Sequence, residues 1–268
     1  MIKIAIIGFG RMGREILAEC LKEKLSVVAV VDSPDSPLIG KDAGVIGNAE
    51  ALGVLVSSSS DLGKSLDKVK PDVAIDFTSP AACVKNSVLI MAKGVNMVIG
   101  TTGLSEKEVG DIKESARKNK VGVVLSPNMS IGVNVFWKIV EKAAELLPEY
   151  DIEIVEKHHR FKKDAPSGTA LKTAKVIEEA LKRSLDTDAV YGRKGLCERK
   201  KNEIGIHALR AGDIVGEHTV LFGTLGERVE ITHVAQYRGT LSKGAITAAK
   251  YVHGKKGFYG MSDVLGLE

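Results

Sequence analysis

A short segment in the second half of the chain contains residue types that could transfer a proton beside a bound anion. It reads Glu156-Lys-His-His-Arg-Phe-Lys-Lys-Asp-Ala-Pro-Ser-Gly-Thr-Ala170 and contains the adjacent histidines His158 and His159. Histidine exchanges a proton near neutral pH, and the neighbouring arginine and two lysines would attract an anionic ligand. The segment therefore favours acid–base chemistry on an anionic substrate.

The end of this segment is typical of a helix start. Pro166 and Ser167 stand at or beside the predicted cap of the helix. Free backbone N–H groups are expected at Ser167, Gly168 and Thr169, next to two hydroxyl groups. Such a turn can hold a carboxylate, so an anion site is predicted beside the two histidines.

Other interpretations remain open when the segment is taken alone. A run of charged residues is commonly a solvated surface. Paired histidines can bind a metal ion, but no neighbouring Cys, Asp or Glu cluster would complete the ligand set, so no metal is predicted. A nucleic-acid patch would need clustered lysines with stacking aromatics, whereas most basic residues here are interspersed with acids at a net charge of +4. No nucleic-acid partner is predicted.

A glycine-rich turn near the N-terminus predicts a dinucleotide site. Gly8-Phe9-Gly10-Arg11-Met12-Gly13 follows a predicted strand, opens a predicted helix and precedes Asp32 by about 20 residues. Gly8 would allow the tight turn, Gly10 the approach of the pyrophosphate, and Gly13 the close packing of helix on strand. The N–H groups of the helix N-terminus would then face the phosphates. NADH or NADPH is therefore the expected cofactor.

The residues after the second predicted strand bear on the choice of cofactor. Asp32 should lie at the adenosine ribose, where a carboxylate accepts hydrogen bonds from the 2′-hydroxyl and repels a 2′-phosphate. Ser33 follows it, and a serine cannot neutralise such a phosphate as an arginine would. The pair predicts a preference for NADH, or use of both cofactors, since Lys41 could reach back from the following loop.

Strands and helices alternate through the first half of the chain. Predicted strands cover 2–7, 26–31, 73–77, 96–99 and 121–125, and predicted helices cover 11–23, 81–93 and 105–119. This order predicts an α/β fold with a Rossmann-type, doubly wound parallel sheet. Gly100-Thr101-Thr102-Gly103 and Ser126-Pro127-Asn128-Met129 follow the fourth and fifth of these strands, at the edge where such sheets bind ligands. The nicotinamide is expected near both turns.

The pattern changes after residue 127. Predicted helices cover 132–147, 167–183 and 241–251, and predicted strands cover 151–156, 204–210, 216–222 and 227–234. Because the last three strands have no helices between them, they indicate an antiparallel or mixed sheet with helices on one face. A second domain of the α+β class, with an open mixed sheet, is therefore predicted.

Apolar runs and cysteines indicate a soluble protein of the cytoplasm. No stretch approaches the roughly 20 apolar residues of a membrane-spanning helix, and the N-terminal run is too short for a signal peptide. The three cysteines, at 20, 83 and 197, are too widely separated to suggest a disulfide framework. A cytoplasmic protein with a small-molecule substrate and no membrane partner is predicted.

Several segments together resemble one family of reductases. They are Glu156-x-His158-His159-x-x-Lys162-x-Asp164-Ala-Pro-Ser-Gly-Thr-Ala170, Ile6-Ile-Gly-Phe-Gly-Arg-Met-Gly13, Ile75-Asp-Phe-Thr78, Gly100-Thr-Thr-Gly103, Asn128-Met-Ser-Ile-Gly-Val-Asn134, Arg210-Ala-Gly-Asp-Ile-Val-Gly-Glu-His-Thr219 and Glu230-Ile-Thr-His233. They extend over essentially the whole chain. The chain resembles the 4-hydroxy-tetrahydrodipicolinate reductase family, long called the dihydrodipicolinate reductases.

The resemblance implies an activity and two catalytic residues. The family reduces 4-hydroxy-tetrahydrodipicolinate, through dihydrodipicolinate, to tetrahydrodipicolinate with NAD(P)H, in lysine biosynthesis through the diaminopimelate pathway. A nicotinamide hydride would add to C4 of the ring, and His158 would protonate the adjacent carbon. Lys162 would hold the charge that develops at the ring nitrogen and an adjacent carboxylate.

The resemblance also implies binding residues. The substrate would contact His159, Ser167, Gly168, Thr169 and, from the nucleotide domain, Thr102. The cofactor would contact Gly8, Phe9, Gly10, Arg11, Met12, Gly13, Asp32, Ser33, Phe77, Gly100, Thr101, Thr102, Ser126, Pro127, Asn128 and Met129. Two departures from the family pattern matter. Asp32-Ser33 stands where the family often has an acid–base pair, which argues against strong NADPH use, and some members carry an aromatic at the position of Met129.

By the same resemblance, residues 1–128 would form the nucleotide domain, completed by 238–268. Residues 129–237 would bind the substrate and form a homotetramer through the open sheet. Hydride transfer would require the two domains to close, with hinges near residues 128 and 238.

Two rival functions stay open. One is a different two-domain reductase that acts on an amino acid or semialdehyde, and the other is a non-catalytic nucleotide sensor. The double-histidine segment argues against the first, and loss of reductase activity in His158→Gln or Lys162→Ala would argue against the second.

Overall fold

The computed structural model describes residues 1–237 and 239–267. The chain divides into two compact units, Met1–Ile131 together with Leu241–Glu268, and Gly132–Thr240. They are called the first unit and the second unit below. The roles expected for residues 1–128, 129–237 and 238–268 stay predictions, and the hinge expected at residue 238 lies outside the described residues.

Strands and helices are numbered in chain order. The strands are β1 (Lys3–Ile7), β2 (Ser26–Asp32), β3 (Val56–Ser58), β4 (Val73–Asp76), β5 (Asn96–Ile99), β6 (Gly122–Leu125), β7 (Asp151–His158), β8 (Ala189–Tyr191), β9 (Ile204–Arg210), β10 (Gly216–Thr224), β11 (Glu227–Ala235) and β12 (Gly257–Tyr259). The helices are α1 (Arg11–Lys22), α2 (Ala43–Ile46), α3 (Leu62–Val69), α4 (Pro80–Ala92), α5 (Glu106–Asn119), α6 (Ile131–Leu146), α7 (Gly168–Leu181), α8 (Leu185–Asp188), α9 (Thr240–Val252) and α10 (Met261–Leu265). Among the described residues, no helix is both long enough and apolar enough to cross a membrane.

The first unit is built on a seven-stranded sheet in the order β12-β6-β5-β4-β1-β2-β3, with every neighbouring pair parallel. The central strands β1, β4, β5 and β6 are buried along most of their length, as expected where helices cover both faces of a sheet. Ile16 and Leu17 of α1 pack in the cluster on one face, together with Ile246 of α9. Ile90 of α4 and Ile112 of α5 pack in the cluster on the other face. The predicted doubly wound parallel sheet is confirmed.

The second unit contains a five-stranded mixed sheet in the order β11-β10-β7-β9-β8. The central strand β7 is parallel to β9 and antiparallel to β10. Apolar residues of α6 and α7 cover one face of this sheet, Phe136 and Val140 from α6 and Ile177 from α7 among them. The predicted mixed sheet with helices on one face is confirmed.

Strand β7 positions the chemistry of the second unit. Its residues alternate between exposed or half-buried and buried along the whole strand, so that Ile152, Ile154, Glu156 and His158 share the buried face. The prediction ended this strand at residue 156, whereas it continues to His158. The longer strand follows from its central place, because β9 and β10 pair with its last residues on either side. The apolar face of the strand therefore ends in a carboxylate and an imidazole.

Candidate active site

The glycine-rich turn between β1 and α1 has the backbone geometry expected of an anion site. Gly8 has φ of +88°, and a Cβ there would lie 2.6 Å from the carbonyl oxygen of Phe77. A Cβ at Gly13 would overlap the carbonyl oxygen of Gly8, so the helix packs directly on the turn. Gly10 is the N-cap residue of α1, and a Cβ built at this position would point into open space. The first turn of α1 has no acidic residue. The N-terminus of α1 offers backbone N–H groups and the positive end of the helix dipole, and both fit a pyrophosphate.

Asp32 lies at the carboxyl end of β2, beside the glycine turn. Its Oδ1 accepts a hydrogen bond from the backbone N–H of Phe9 (3.4 Å), and its Oδ2 accepts one from the hydroxyl of Ser36 (2.6 Å). Ser33 follows it on the surface. The Phe9 side chain is fully buried in the core, so its expected contact with a cofactor could involve only its backbone.

The turn after β5 presents one threonine to solvent and holds the other inside. Thr101 is buried, and its hydroxyl donates to the carboxylate of Asp76 (2.7 Å) while accepting the backbone N–H of Thr78 (2.8 Å). Thr102 is exposed, in keeping with its expected contact with a substrate. The ring of Phe77 lies against Gly100, where any Cβ would overlap it. The turn is therefore anchored from within the sheet.

Asp76 was not expected to matter for the site. It is fully buried at the end of β4, and burial raises the pKa of its carboxyl group, against the hydrogen bonds from Thr101 and Thr78. The signal in the sequence was a single acid closing an otherwise apolar strand. Its hydrogen bonds hold the loops after β4 and β5 together, so Asp76 shapes the edge where a nicotinamide would lie.

The turn after β6 leads into a buried side chain at Met129. Ser126 is buried, and its hydroxyl donates to the carbonyl of Asn128 (2.8 Å), while Pro127 is exposed. The Met129 side chain is fully buried in the apolar core, and its carbonyl faces Gly244 of α9 so closely that a Cβ there would overlap it. The expected contact of Met129 with a cofactor could therefore involve only its backbone, because the side chain fills the interior of the first unit.

In the second unit, Glu156 is the centre of a buried network. Both its oxygens accept hydrogen bonds from Arg210 at 2.8 Å, in a bidentate pair. Its Oε2 also contacts Nδ1 of His158 at 2.6 Å, and its Oε1 accepts the backbone N–H of Ser167 at 2.9 Å. Burial opposes ionisation of this carboxylate, but the hydrogen bonds outweigh it and lower its pKa. Glu156 therefore connects the expected proton donor to the start of α7.

His158 is buried beside a second histidine. The rings of His158 and His218 meet edge to face, with centroids 5.2 Å apart. Burial lowers the pKa of His158 below its ordinary value, although Glu156 acts in the opposite direction. Burial also lowers the pKa of His218, to about 4, so that His218 is neutral at physiological pH. One imidazole of the pair can thus exchange a proton while its neighbour stays uncharged.

The loop between β7 and α7 carries Lys162, whose positive charge acts to lower the pKa of His158. The Lys162 ammonium pairs with Asp164 at 2.8 Å, and this hydrogen bond lowers the pKa of the Asp164 carboxyl. Arg210 donates to the Asp164 carbonyl at 2.6 Å and so ties the loop to β9. The Asp164 side chain is 60% exposed. An incoming carboxylate can therefore compete with it for the ammonium.

His159 and the start of α7 complete this half of the site. Nδ1 of His159 is buried and has no hydrogen-bond partner among the described residues. Ser167 caps α7, but its N–H donates to Glu156 and its hydroxyl contacts both the Ala170 N–H (3.2 Å) and His218 Nε2 (3.1 Å). The expectation of a free N–H at Ser167 is therefore wrong. Gly168 is exposed and Thr169 half-buried, so these two residues form the accessible part of the turn.

Comparison with known proteins identifies the family. Family models described as dihydrodipicolinate reductase, N-terminus and C-terminus, match residues 2–129 and 132–265. The chain belongs to the dihydrodipicolinate reductase family. The matches cover both units, and the resemblance expected from the sequence is confirmed.

Named relatives and a solved structure agree with this family. The 4-hydroxy-tetrahydrodipicolinate reductase of Methanocaldococcus jannaschii is 47% identical over 271 residues, covering 100% of this chain and 98% of that protein. The protein of the same name from Methanosarcina mazei is 49% identical over 270 residues and covers 100% of both. A dipicolinate-bound dihydrodipicolinate reductase from a Paenisporosarcina species is 30% identical, with a TM-score of 0.79 and coverage of 98% of this chain and 99% of its own.

In the second unit of this dihydrodipicolinate reductase fold, the structure adds three residues to those expected from the sequence. Glu156, Arg210 and His218 were quoted in family motifs but had no assigned role. Arg210 is adjacent to His158 across the β7–β9 pair, and His218 is opposite Glu156 across the β7–β10 pair. Only strand register brings them together, because the Arg210–Glu156 contact spans 54 positions of the chain.

Proposed function

We propose that this chain reduces 4-hydroxy-tetrahydrodipicolinate, through dihydrodipicolinate, to tetrahydrodipicolinate with NAD(P)H, in lysine biosynthesis through the diaminopimelate pathway. The observation that carries the proposal is the group of His158, Lys162 and the accessible turn of α7, in a chain of this family. The names of the relatives and the dipicolinate in the Paenisporosarcina structure support a cyclic dicarboxylate as substrate. Assay with freshly generated substrate, against amino-acid and semialdehyde substrates, tests the reaction.

The second unit would bind the two carboxylates of the substrate with separate groups. Gly168 and Thr169, at the start of α7, would hold one carboxylate with backbone N–H and hydroxyl donors. Lys162 would exchange its bond with Asp164 for the other carboxylate and the ring nitrogen. Nδ1 of His159, which has no hydrogen-bond partner in the described part of the chain, supports a polar contact with the substrate. Ser167 would act by capping the helix and fixing the turn, since its own N–H is already bonded.

Protonation would come from His158 and charge stabilisation from Lys162. When bound, NAD(P)H supplies the hydride that adds to C4 of the ring. His158 would give a proton to the adjacent carbon, from an imidazole that is largely buried beside neutral His218. The Lys162 ammonium would offset the negative charge that develops on the ring as electrons move toward the nitrogen. Thr102, on the first unit, is proposed as a further substrate contact from the family resemblance.

The chain is proposed to prefer NADH or to use both cofactors, because Asp32 would lie at the adenosine ribose. Replacing Asp32 with asparagine should raise kcat/KM with NADPH relative to NADH by at least about tenfold, because it removes repulsion of the 2′-phosphate. Steady-state rates with each cofactor measure this ratio. Asp35→Asn, an exposed carboxylate in the same loop, is the matched control. A wild-type chain with a strong preference for NADPH would contradict the proposal.

A homotetramer formed through the second unit is also proposed. Leu209 and Val234 are 44% and 51% exposed on the sheet face turned away from α6 and α7. Strand β11 is an outermost strand of the sheet, and open edges of this kind favour pairing with another chain. Sedimentation velocity should show a species of four 28.6 kDa chains. A monomer at micromolar concentration would contradict this assembly, and the expected cytoplasmic location stays a prediction.

A further inference from the structure

The protonation state of Glu156 is fixed by its neighbours. Arg210 binds both carboxylate oxygens at 2.8 Å, and an arginine side chain keeps its proton in proteins. The Ser167 N–H is a further donor to the same carboxylate, at 2.9 Å. A carboxylate with these donors is ionised and can only accept hydrogen bonds. The remaining contact, 2.6 Å between Oε2 and His158 Nδ1, therefore needs a proton on the nitrogen.

The proton on Nδ1 determines whether Nε2, the other nitrogen of the His158 ring, can donate a proton. A neutral imidazole carries one proton, so with Nδ1 protonated its Nε2 has only a lone pair. Among the described residues, Nε2 has no hydrogen-bond partner. A Cβ at residue 216 would lie 3.2 Å from Nε2, so glycine at that position leaves space beside the atom. Nε2 is therefore the nitrogen that a substrate can approach, and it must gain a proton before it can donate one.

We propose that Glu156 is a positioning residue that holds His158 in the Nδ1–H tautomer, so that His158 delivers its proton from Nε2 and only after protonation to the imidazolium. The inference rests on the proposed function, because it concerns the donor in that reaction. Nδ1–H stays on Glu156 throughout, while Nε2–H passes to carbon and Nε2 is reprotonated from solvent. The ionised Glu156 stabilises the imidazolium form that the cycle requires.

Charges from every neighbouring element affect how easily His158 is protonated. Glu156 on β7 favours the imidazolium, whereas Arg210 on β9 and Lys162 in the following loop oppose it. His218 on β10 is neutral and contributes burial, and His233 lies beyond it on β11. Within the described part of the chain, the anion that acts most strongly on His158 is Glu156. Removing its charge should therefore lower the pKa of His158 further.

The first test replaces Glu156 with glutamine and measures kcat and KM from acid to alkaline pH. In the wild-type chain, kcat should be full below the pKa of His158 and fall as pH rises through it. In Glu156→Gln the fall should begin at lower pH, so that kcat at pH 8 is about tenfold lower if the pKa of His158 falls by about 1, and it should recover on acidification. KM should change much less. Glu217→Gln is the matched control, since Glu217 lies in the same sheet but pairs with Lys157.

The second test observes the tautomer in the wild-type chain and uses a variant only to assign the signal. NMR of ¹⁵N-histidine-labelled protein, with the His158 signal assigned by its loss in His158→Gln, reports which ring nitrogen is protonated. We expect a protonated Nδ1 and an unprotonated Nε2 above the pKa of His158. An Nε2–H tautomer, an unshifted pH profile in Glu156→Gln, or a fall in kcat that is equal at every pH would overturn the inference. A wild-type chain without turnover of the substrate would instead overturn the proposed function.

Discussion

Replacing His158 with glutamine is expected to lower kcat by about 10²- to 10⁴-fold, the range that a positioned general acid contributes. Glutamine is polar and of similar reach, but it cannot take up and release a proton at neutral pH. The network of Glu156, Arg210 and Ser167 would remain to hold the start of α7. The affinity for NADH should therefore change little, since the cofactor residues lie in the first unit. Steady-state kinetics and direct NADH titration measure the two quantities.

A matched histidine variant separates this loss from a general effect on the chain. His253→Gln changes an exposed histidine of the first unit, to which no role is assigned, and should leave kcat unchanged. If His158→Gln kept the wild-type rate, the proton would have to come from another group or from solvent.

Replacing Lys162 with alanine should lower kcat by about 10²- to 10³-fold, as expected when one preorganised group that stabilises developing charge is removed. KM should rise as well, because the same ammonium is proposed to hold a substrate carboxylate. The ammonium pairs with Asp164 at 2.8 Å, and the backbone N–H of Lys162 donates to the His159 carbonyl (3.1 Å). Both the side chain and the backbone of Lys162 are therefore positioned by hydrogen bonds. Steady-state kinetics at saturating NADH provide the measurement.

The next residue supplies the control for Lys162. Lys163 carries the same charge in the same loop but is exposed, and Lys163→Ala should retain most of the wild-type kcat. Equal losses in the two lysine variants would mean that the loop only attracts the substrate by its net positive charge. That outcome would contradict the role proposed for Lys162.

The parts of the site that could be predicted depend on local sequence. The glycine turn carries its own geometry, because the positive φ at Gly8 and the close packing of Gly13 follow from neighbouring residues. The position of Asp32 at a strand end follows from the βαβ pattern in the same way. The histidines and the helix start of α7 were likewise found from residues that are adjacent in the chain.

The contacts that could not be predicted depend on strand register. Arg210 reaches Glu156 because β9 is parallel to β7, and His218 reaches Ser167 because β10 is antiparallel to β7. Nothing in the local pattern sets these pairings. The free N–H wrongly expected at Ser167 has a different cause: its acceptor is Glu156 on the preceding strand β7, and the local pattern did not show that the Glu156 side chain points to the start of α7.

Short elements were missed for a different reason. The strands β3, β8 and β12 have three residues each, which is too short for a repeating apolar pattern to be recognised. Helix α3 has eight residues and lies in a polar stretch rich in serine.

Met129 was placed at the cofactor because it follows a strand end, but its side chain turns into the core. A position at the correct edge of a sheet does not fix the direction of a side chain.

The most direct test of the proposed reaction follows deuterium from cofactor to product. Freshly generated 4-hydroxy-tetrahydrodipicolinate is mixed with the chain and with NADH deuterated at the transferable position of C4. We expect oxidation of the cofactor with stoichiometric formation of tetrahydrodipicolinate that carries the deuterium at ring C4, seen by mass spectrometry and NMR. No oxidation of the cofactor with this substrate, together with turnover of an amino acid or semialdehyde, would contradict the proposed reaction.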